Sequence, residues 1–202
     1  MFGIGATEML GVVVTGELWL RVPHTLLMHW EGQLRSGVTA KDMMLHMVGR
    51  FGMNGGAYQA VEFAGPAVRA LSMQERMTLS NMSAELGAQV GLIAPDQTTR
   101  DWLQQTAPER VTPHDDVEAD HWQTDPNADV TRYAFDATTL APHVAAPHSP
   151  ANSKPVDHHA GTHIDVAYIG ACTGAKLDDL RAAAEVLRGQ HIAGHVRLMV
   201  AP

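Results

Sequence analysis

The fold is decided by residues 25–95, which read TLLMHWEGQLRSGVTAKDMMLHMVGRFGMNGGAYQAVEFAGPAVRALSMQERMTLSNMSAELGAQVGLIAP. Apolar and polar residues alternate in TLLMHWEGQL, as in a strand, whereas AKDMMLHMVGRF places its methionines and valine at helical spacing. Thr39 is a candidate N-cap of that helix, and Gly52 is expected to end it. QAVEFAG and AQVGLIAP predict two further strands, separated by one or two helices. Strands that alternate with helices indicate an α/β architecture with an at least partly parallel sheet.

The same patterns continue on both sides of this stretch. GELWLRV, residues 16–22, alternates apolar and polar side chains and predicts another short strand. Towards the other end of the chain, a strand is expected over Ile164–Gly170 and a helix from Leu177 to about Arg188. HVRLMVAP, residues 195–202, predicts one more strand. No internal repeat accompanies these elements.

The charge of the chain is concentrated in residues 101–136. The whole chain carries a formal charge of −8, and this segment alone contains nine acidic and two basic residues. It also holds three prolines, so it is expected to be an exposed connector with short helical pieces rather than a core element. The acidic balance argues against nucleic acid as a partner, because phosphate binding relies on clustered Lys and Arg.

A second irregular stretch, residues 141–163, holds four of the prolines and five of the twelve histidines. Repeated X-Pro pairs favour extended backbone, so this stretch is interpreted as a linker between domains. Its cluster of His158, His159 and His163 has ligand chemistry for Zn²⁺ but no thiolate beside it in sequence, which makes a structural metal site there a minor alternative.

The chain contains one cysteine, Cys172. One cysteine excludes an intramolecular disulfide and fits a reducing compartment. The N-terminal residues lack a basic leader, and no apolar stretch approaches the ~18 residues of a spanning helix. These observations predict a cytoplasmic protein with no membrane partner.

Cys172 lies in the segment DVAYIGACTGAKLDDLRAAAEVLRG, residues 165–189. The pattern puts the thiol after a strand and before a helix, where open α/β sheets bind ligands and where a helix N-terminus favours the thiolate. A ligand or nucleophile role is therefore one hypothesis, and a buried structural cysteine is the other. A cysteine-dependent hydrolase would also need an oriented histidine, and no motif places one beside Cys172.

Asn81 and Glu85 form the other candidate pair. They are four residues apart in SNMSAE and are expected to share one helix face, which sets an amide beside a carboxylate. Such a pair can orient a polar substrate and supply an acid or base. Surface decoration of a helix is the alternative that the spacing leaves open.

Taken together, several stretches resemble the aconitase family, and within it the large subunit of 3-isopropylmalate dehydratase and its homoaconitase relatives. The resemblance runs, in order and spacing, through FGIGATEMLGVVVTGELWLRVP, GVTAKDMMLHMVGRFG, VEFAGPAVRALSMQERMTLSNMSAELGAQVGLIAPDQTT, PHSPANSKPV, IGACTGAKLDDLRAAAEVL and VRLMVAP. It covers almost the whole chain, and the combination is more specific than any one motif.

The resemblance implies a hydro-lyase that dehydrates and rehydrates a hydroxy-polycarboxylic acid in leucine or related amino-acid biosynthesis. It implies a [4Fe–4S] cluster held by three cysteines, with an open iron that acts as a Lewis acid on the leaving hydroxide. Cys172 matches the first of these three ligands. Asn81 and Glu85 match the active-site amide and carboxylate, the latter assisting at the hydroxyl. The partners implied are a small hydroxy acid and the small, swivelling dehydratase subunit.

This sequence also departs from the family pattern. The Gly-Asp-Ser-His-Thr segment and the Cys-x-x-Cys pair of the family have no counterpart here, and the usual Cys-Thr-Asn turn is Cys172-Thr173-Gly174. Ser80 stands where many relatives have a cysteine that is not a cluster ligand. The sequence therefore predicts the interior of a large subunit, inactive as an isolated chain because one thiolate cannot hold the cluster. Such a fragment would need chains that supply its missing ends, and a non-catalytic scaffold that keeps the fold is the alternative.

The predicted fold consists of aconitase-like three-layer α/β domains, incomplete at both ends. Residues 1–22 are expected to be the tail of a first domain, and residues 23–140 a second α/β domain that includes the acidic connector 101–136. The linker 141–163 then leads to residues 164–202, the start of a third domain that carries Cys172.

Overall fold

The computed structural model describes residues 3–110, 122–171 and 173–201. The chain separates into two compact units, Met1–Lys154 and Pro155–Pro202, and each is described by itself. The helices are α1 (Ala6–Thr15), α2 (Ala40–Phe51), α3 (Pro66–Arg69), α4 (Met73–Met82), α5 (Gln97–Thr106) and α6 (Leu177–Leu187). The strands are β1 (Thr25–Glu31), β2 (Ala60–Ala64), β3 (Val90–Ile93), β4 (Thr131–Asp136), β5 (His143–Ala145), β6 (Ser153–Pro155), β7 (Val166–Ile169) and β8 (Arg197–Val200).

A four-stranded parallel sheet organises the first unit. Its strand order is β3-β2-β1-β4, with Leu26 opposite Val61 and Trp30 opposite Phe135. Parallel neighbours need crossover connections, and α2 links β1 to β2 while α3 and α4 link β2 to β3. The predicted α/β class with a parallel sheet is confirmed.

Helix α2 supplies much of the core beneath this sheet. Thr39 and Asp42 form a capping box at its start, where the Asp42 carboxylate accepts hydrogen bonds from the Thr39 N–H and hydroxyl at 2.7 and 3.0 Å. Its buried residues are Ala40, Asp42, Met43, Met44, Leu45, Met47 and Val48. The helix ends before Gly52, so the predicted cap and stop are both confirmed.

Strand β4 corrects the prediction for the acidic segment. The pattern predicts no core element in residues 101–136, yet Thr131–Asp136 pairs with residues 26–31 of β1. Phe135 is buried and stacks on Trp30, with 4.5 Å between ring centroids and 14° between ring planes. The many charged residues of the segment gave no local sign of a strand. Pairing with β1 and the burial of one aromatic side chain are enough to place β4 at the edge of the sheet.

The N-terminal residues also differ from the prediction. Ala6–Thr15 is a helix with no buried residue, and residues 17–24 form no regular element, so the strand predicted over residues 16–22 is wrong. Trp19 and Val22 are 83% and 91% exposed. Alternation specifies a strand only where one face can be buried, and the described residues bury neither face here.

Residues 143–155 form short elements against α2. Strands β5 and β6 pair with each other, and the His143 N–H donates to the Asp42 carboxylate at 2.8 Å. Gly49 of α2 leaves no room for a side chain, since an added Cβ would lie 2.9 Å from the Ser153 carbonyl oxygen. The structure divides the chain at Lys154 and Pro155. The linker over residues 141–163 and the other domain limits from the sequence analysis remain predictions.

The second unit pairs β7 and β8 in parallel, with Val166 opposite Arg197. The two strands and helix α6 fall where the sequence predicts them. The Lys176 N–H donates to the Asp179 carboxylate at 3.0 Å, so this carboxylate caps α6. Within the described parts of the whole chain, no helix is long and apolar enough to cross a membrane.

Candidate active site

Helix α4 carries the first candidate residue, Asn81, in its last turn. Its start is fixed by a capping box: the Ser72 hydroxyl accepts from the Glu75 N–H at 3.3 Å, and the Glu75 carboxylate accepts from the Ser72 N–H at 3.2 Å. Leu79 and Met82 are buried in the core cluster, which orients the helix. Asn81 is half-buried beside them.

A buried ion pair joins α4 to α5. Arg76 is 3% exposed, and its guanidinium makes two hydrogen bonds to Asp96, at 2.6 and 2.7 Å. The same guanidinium donates to the carbonyl oxygens of Leu71 and Arg69, at 3.1 and 2.8 Å. Asp96 is in turn the N-cap of α5 and accepts from the Thr99 N–H at 3.2 Å. This network fixes α4 against the segment that follows β3.

The charge state of Asp96 follows from these contacts. Burial by itself raises the pKa of the Asp96 carboxyl, but the hydrogen bonds from Arg76 and Thr99 and the charge of Arg76 outweigh it. The pKa of Asp96 therefore lies below its usual value, and its carboxylate is ionised at neutral pH.

Glu85 does not share a continuous helix with Asn81, which corrects the expected geometry. Helix α4 ends at Met82, and the Glu85 N–H donates to the Met82 carbonyl oxygen at 3.1 Å, three residues back. The Ser83 hydroxyl donates to the Leu79 carbonyl oxygen at 3.0 Å, a contact that competes with regular helical bonding. Glu85 is half-buried in the tight turns that connect α4 to β3.

The loop before β2 holds these turns in place. The N–H groups of Gly56 and Tyr58 donate to the carbonyl oxygens of Leu86 and Gly87, at 2.7 and 2.8 Å. Tyr58 has a φ of 57°, a left-handed conformation that is strained for a residue with a side chain. Gly87 has a φ of 80°, and an added Cβ would collide with the Met53 carbonyl oxygen. The turn that carries Glu85 is therefore held from outside by backbone contacts.

A cleft of about 300 Å³ opens beside this turn, between the end of α4 and β3. Its polar lining consists of Ser80, Asn81, Ser83 and Gln89, and the Gly3–Ile4 segment closes one side. The Gly3 N–H donates to the Gln89 carbonyl oxygen at 3.3 Å. The described residues that line the cleft bring hydroxyls and amides but no charged side chain, so the cleft suits a polar group that donates and accepts hydrogen bonds.

The family follows from comparison with known sequences. Residues 1–162 match the sequence model of the Aconitase family (aconitate hydratase). The chain belongs to the aconitase family. The resemblance noted from the motifs is thereby confirmed.

Individual relatives agree with this family. The chain is 42% identical to a probable methanogen homoaconitase large subunit from Methanosarcina mazei, over 99% of its own length and 49% of that protein. It is 39% identical to 3-isopropylmalate dehydratase large subunit 1 from Pyrococcus abyssi, over 99% of its length and 46% of that protein. It is 41% identical to a probable 3-isopropylmalate dehydratase large subunit from Methanothermobacter thermautotrophicus, with the same coverage. The chain thus spans about half the length of the curated relatives it matches.

The third candidate site residue is Cys172, which lies outside the residues that the structure describes. Its described neighbours are β7, which ends at Ile169, and α6, which begins at Leu177. Nothing in the described parts of the chain groups three or more His, Cys, Asp or Glu side chains as a metal site. The proposed ligand role of Cys172 stays a prediction.

Sequence reasoning missed one residue of this family member's candidate site, Gln89, and one buried acidic residue elsewhere in the sheet, Glu62. Gln89 comes into the Asn81 cleft only because the chain reverses between α4 and β3, so no helical or strand spacing relates the two residues. Glu62 of β2 is buried and accepts hydrogen bonds from the Thr124 N–H and hydroxyl, 62 residues away. An acidic residue in the otherwise apolar AVEFA strand is the signal that could have drawn attention to Glu62.

Proposed function

We propose that this chain forms part of the catalytic large subunit of a [4Fe–4S]-dependent hydro-lyase, of the 3-isopropylmalate dehydratase or homoaconitase type. Such an enzyme dehydrates and rehydrates a hydroxy-polycarboxylic acid. The observation that best supports this proposal is that Asn81 lines a polar cleft of about 300 Å³ next to the turn that bears Glu85. Membership of the aconitase family supports the reaction class.

The proposed role of Glu85 is to handle the proton at the substrate hydroxyl. In dehydration, a base supplied by the rest of the enzyme takes the proton of a C–H bond, the neighbouring C–OH bond breaks, and a carbon–carbon double bond forms. The hydroxide leaves as water with the proton that Glu85 donates. Hydroxide is a poor leaving group, so a carboxyl group that donates its proton to the departing oxygen lowers the barrier. In the reverse direction the Glu85 carboxylate takes that proton back from the adding water.

The proposed role of Asn81 is to orient the reacting group. Its amide can both donate and accept a hydrogen bond, as can a hydroxyl, and α4 holds its backbone through the capping box and the Arg76–Asp96 pair. Fixing the hydroxyl towards Glu85 removes orientational freedom before the chemical step.

The 202 residues do not by themselves fit a [4Fe–4S] cluster. They contain a single cysteine, whereas such a cluster is held by three or four thiolates. The described residues bring no alternative group of three ligands together. We therefore assign no chemical step to a cluster here, and propose only that Cys172 contributes one thiolate to a site completed by other thiols.

The proposed partners are a small hydroxy acid and a small dehydratase subunit. Curated relatives carry the words large subunit in their names, which supports a second kind of subunit. The relatives' names include both homoaconitase and 3-isopropylmalate dehydratase, so the proposal keeps both substrate types.

The first test uses the 202-residue chain alone, incubated with iron and sulfide under reducing, anaerobic conditions. We expect neither the broad visible absorption of a [4Fe–4S] centre nor dehydration of 3-isopropylmalate, because the chain has one thiol. Activity of this preparation would refute the proposal that the isolated chain is inactive.

The second test replaces the matching segment of the Methanosarcina mazei relative with this whole chain and supplies the small subunit. We expect the chimera to dehydrate 3-isopropylmalate or homocitrate, followed by ultraviolet absorption of the unsaturated product. Glu85→Gln should lower kcat about 10²- to 10⁴-fold, because it removes the proton donor. Glu17→Gln, at an exposed position, is the control and should change little. A folded, cluster-loaded chimera without activity would instead support the non-catalytic scaffold.

A further inference from the structure

Gly91 of β3 lies directly against the last turn of α4. A Cβ added to Gly91 would collide with the Ser83 hydroxyl oxygen and would lie 2.7 and 2.8 Å from the carbonyl oxygen and the Cα of Ser80. Two of these three atoms belong to the backbone, so rotation of a side chain could not make room for the added atom. The φ of Gly91 is outside the left-handed region, so what the glycine provides here is space. The strand and the helix can approach this closely because residue 91 has no side chain.

Both sides of this contact are held in place. Gly91 is paired with Val61, a fully buried residue of the neighbouring strand β2. Helix α4 is held by the two hydrogen bonds between Arg76 and Asp96, about one helical turn before Ser80. The strand therefore cannot withdraw from an atom inserted at position 91 without breaking the sheet, and we expect the end of α4 to shift instead.

Asn81 lies in sequence between the two residues that pack against Gly91. Ser80, Asn81 and Ser83 line the polar cleft of about 300 Å³ together with Gly91. The Ser83 carbonyl oxygen accepts a backbone hydrogen bond, at 3.0 Å, from the far side of the turn that bears Glu85. Because the 53–59 loop holds that turn, a shift at the end of α4 would change the position of the Asn81 amide relative to Glu85.

We propose that Gly91 is a positioning residue: the absence of its side chain lets the last turn of α4 pack on β3 and thereby sets the place of the Asn81 amide relative to Glu85. This inference rests on the proposed function. Gly91 acts through Asn81 and takes no part in the proton transfer. A misplacement of about 1 Å in a group that orients the substrate can lower the rate about 10²-fold, so one added methyl group should be visible in turnover.

The experiment introduces Gly91→Ala into the chimera with the Methanosarcina mazei relative and, separately, into the isotopically labelled 202-residue chain. In the chimera, kcat is expressed per cluster-loaded enzyme, with the loading read from visible absorption. We expect kcat to fall about 10- to 100-fold and KM for 3-isopropylmalate to change much less, because orientation acts on the chemical step. In the isolated chain, we expect the NOEs from the Asn81 side-chain amide to its neighbours in the cleft to change.

Gly194→Ala is the matched control, because Gly194 is exposed and an added Cβ there meets nothing within 4 Å. It should change neither kcat nor the NOEs of Asn81. If Gly91→Ala lowers the free energy of unfolding but leaves kcat and these NOEs unchanged, Gly91 has only a structural role, the inference is wrong and the proposed function stands. If the loaded parent chimera is inactive, the proposed function fails. The NOEs of the isolated chain then still decide whether Gly91 positions the amide: a change supports this and no change overturns it.

Ser83→Ala tests the same contact from the side of the helix and gives an answer even if Gly91→Ala fails to fold. It removes the hydroxyl that packs against Gly91 and bonds to the Leu79 carbonyl oxygen, and it adds no atom. We expect kcat to fall about threefold, the worth of one weak hydrogen bond, and the NOEs of the Asn81 amide to change. If Ser83→Ala leaves both unchanged, the contact between β3 and the end of α4 does not position Asn81.

Discussion

Replacing Asp96 with asparagine tests the buried ion pair beneath the candidate site. Asp96→Asn keeps the size of the side chain and an oxygen that can cap α5, but it removes the charge and sets an NH₂ group against the guanidinium. Arg76 would then hold an almost fully buried positive charge, since its side chain is 3% exposed against 27% for Asp96. Breaking a buried pair from one side costs about 3–5 kcal/mol. The remaining hydrogen bonds and the partial exposure of Asp96 reduce this, so we expect a loss of about 2–3 kcal/mol.

The assay is urea unfolding at pH 7, followed by tryptophan fluorescence. All four tryptophans lie in the unit Met1–Lys154, so the signal reports the unit that contains the pair. Asp101→Asn is the matched control, because Asp101 is exposed on α5 and, among the described residues, accepts a hydrogen bond from the Gln97 amide at 2.6 Å. It should change the free energy of unfolding by less than about 0.5 kcal/mol. Equal effects of the two substitutions would refute the argument that burial makes the Arg76–Asp96 contact important.

Two further predictions concern pH and the turn beside Glu85. The pKa of Asp96 in the folded chain lies below the usual 3.8, so its contribution to stability is present at neutral pH and is lost as pH falls through that lowered pKa. The difference in unfolding free energy between the parent chain and Asp96→Asn should therefore stay constant from pH 7 to about pH 4 and shrink as the pH falls further, as measured by urea midpoints. A difference that stays constant down to about pH 2 would contradict this. Gly87→Ala should destabilise the chain by about 2 kcal/mol, since an alanine at φ 80° meets the Met53 carbonyl oxygen. Gly37→Ala, at φ 81° with open space around it, should destabilise the chain by only about 1 kcal/mol in the same assay. If both substitutions lower the free energy of unfolding equally, the collision with the Met53 carbonyl oxygen does not explain the effect of Gly87→Ala.

The sequence predicts the local elements of the sheet and helices well, because the signals for them are local. Helix α2 is bounded by its cap and stop residues, and the apolar strands β2 and β3 follow turn signals. Strand β4 could not be predicted in the same way. Only Phe135 of its residues is buried, and its place is set by pairing with β1, about a hundred residues earlier in the chain. Such long-range pairing leaves little trace in the local pattern.

The arrangement of the candidate site is likewise set by contacts that the local sequence pattern does not reveal. Spacing predicts Asn81 and Glu85 as a pair on one helix face, but the helix ends between them, where contacts from the 53–59 loop fix the turns. The approach of Gln89 to Asn81 follows from those turns and from the pairing of Gln89 with Gln59. Tertiary hydrogen bonds, rather than helical periodicity, therefore decide which side chains share the cleft.

Binding and catalysis should be separable in this chain. The cleft beside Asn81 and Gln89 is built within the first unit, from α4, β3 and the Gly3–Ile4 segment, so binding of a ligand there would not require a thiol. In the proposed reaction, by contrast, the bond-breaking step needs a cluster that one cysteine cannot hold, and the described residues group no other three metal ligands. If the proposed function holds, the chain alone should bind 3-isopropylmalate and leave it chemically unchanged. Glu85→Gln should then alter turnover in the chimera far more than it alters binding to the isolated chain, because a glutamine preserves the hydrogen bond and loses only the transferable proton.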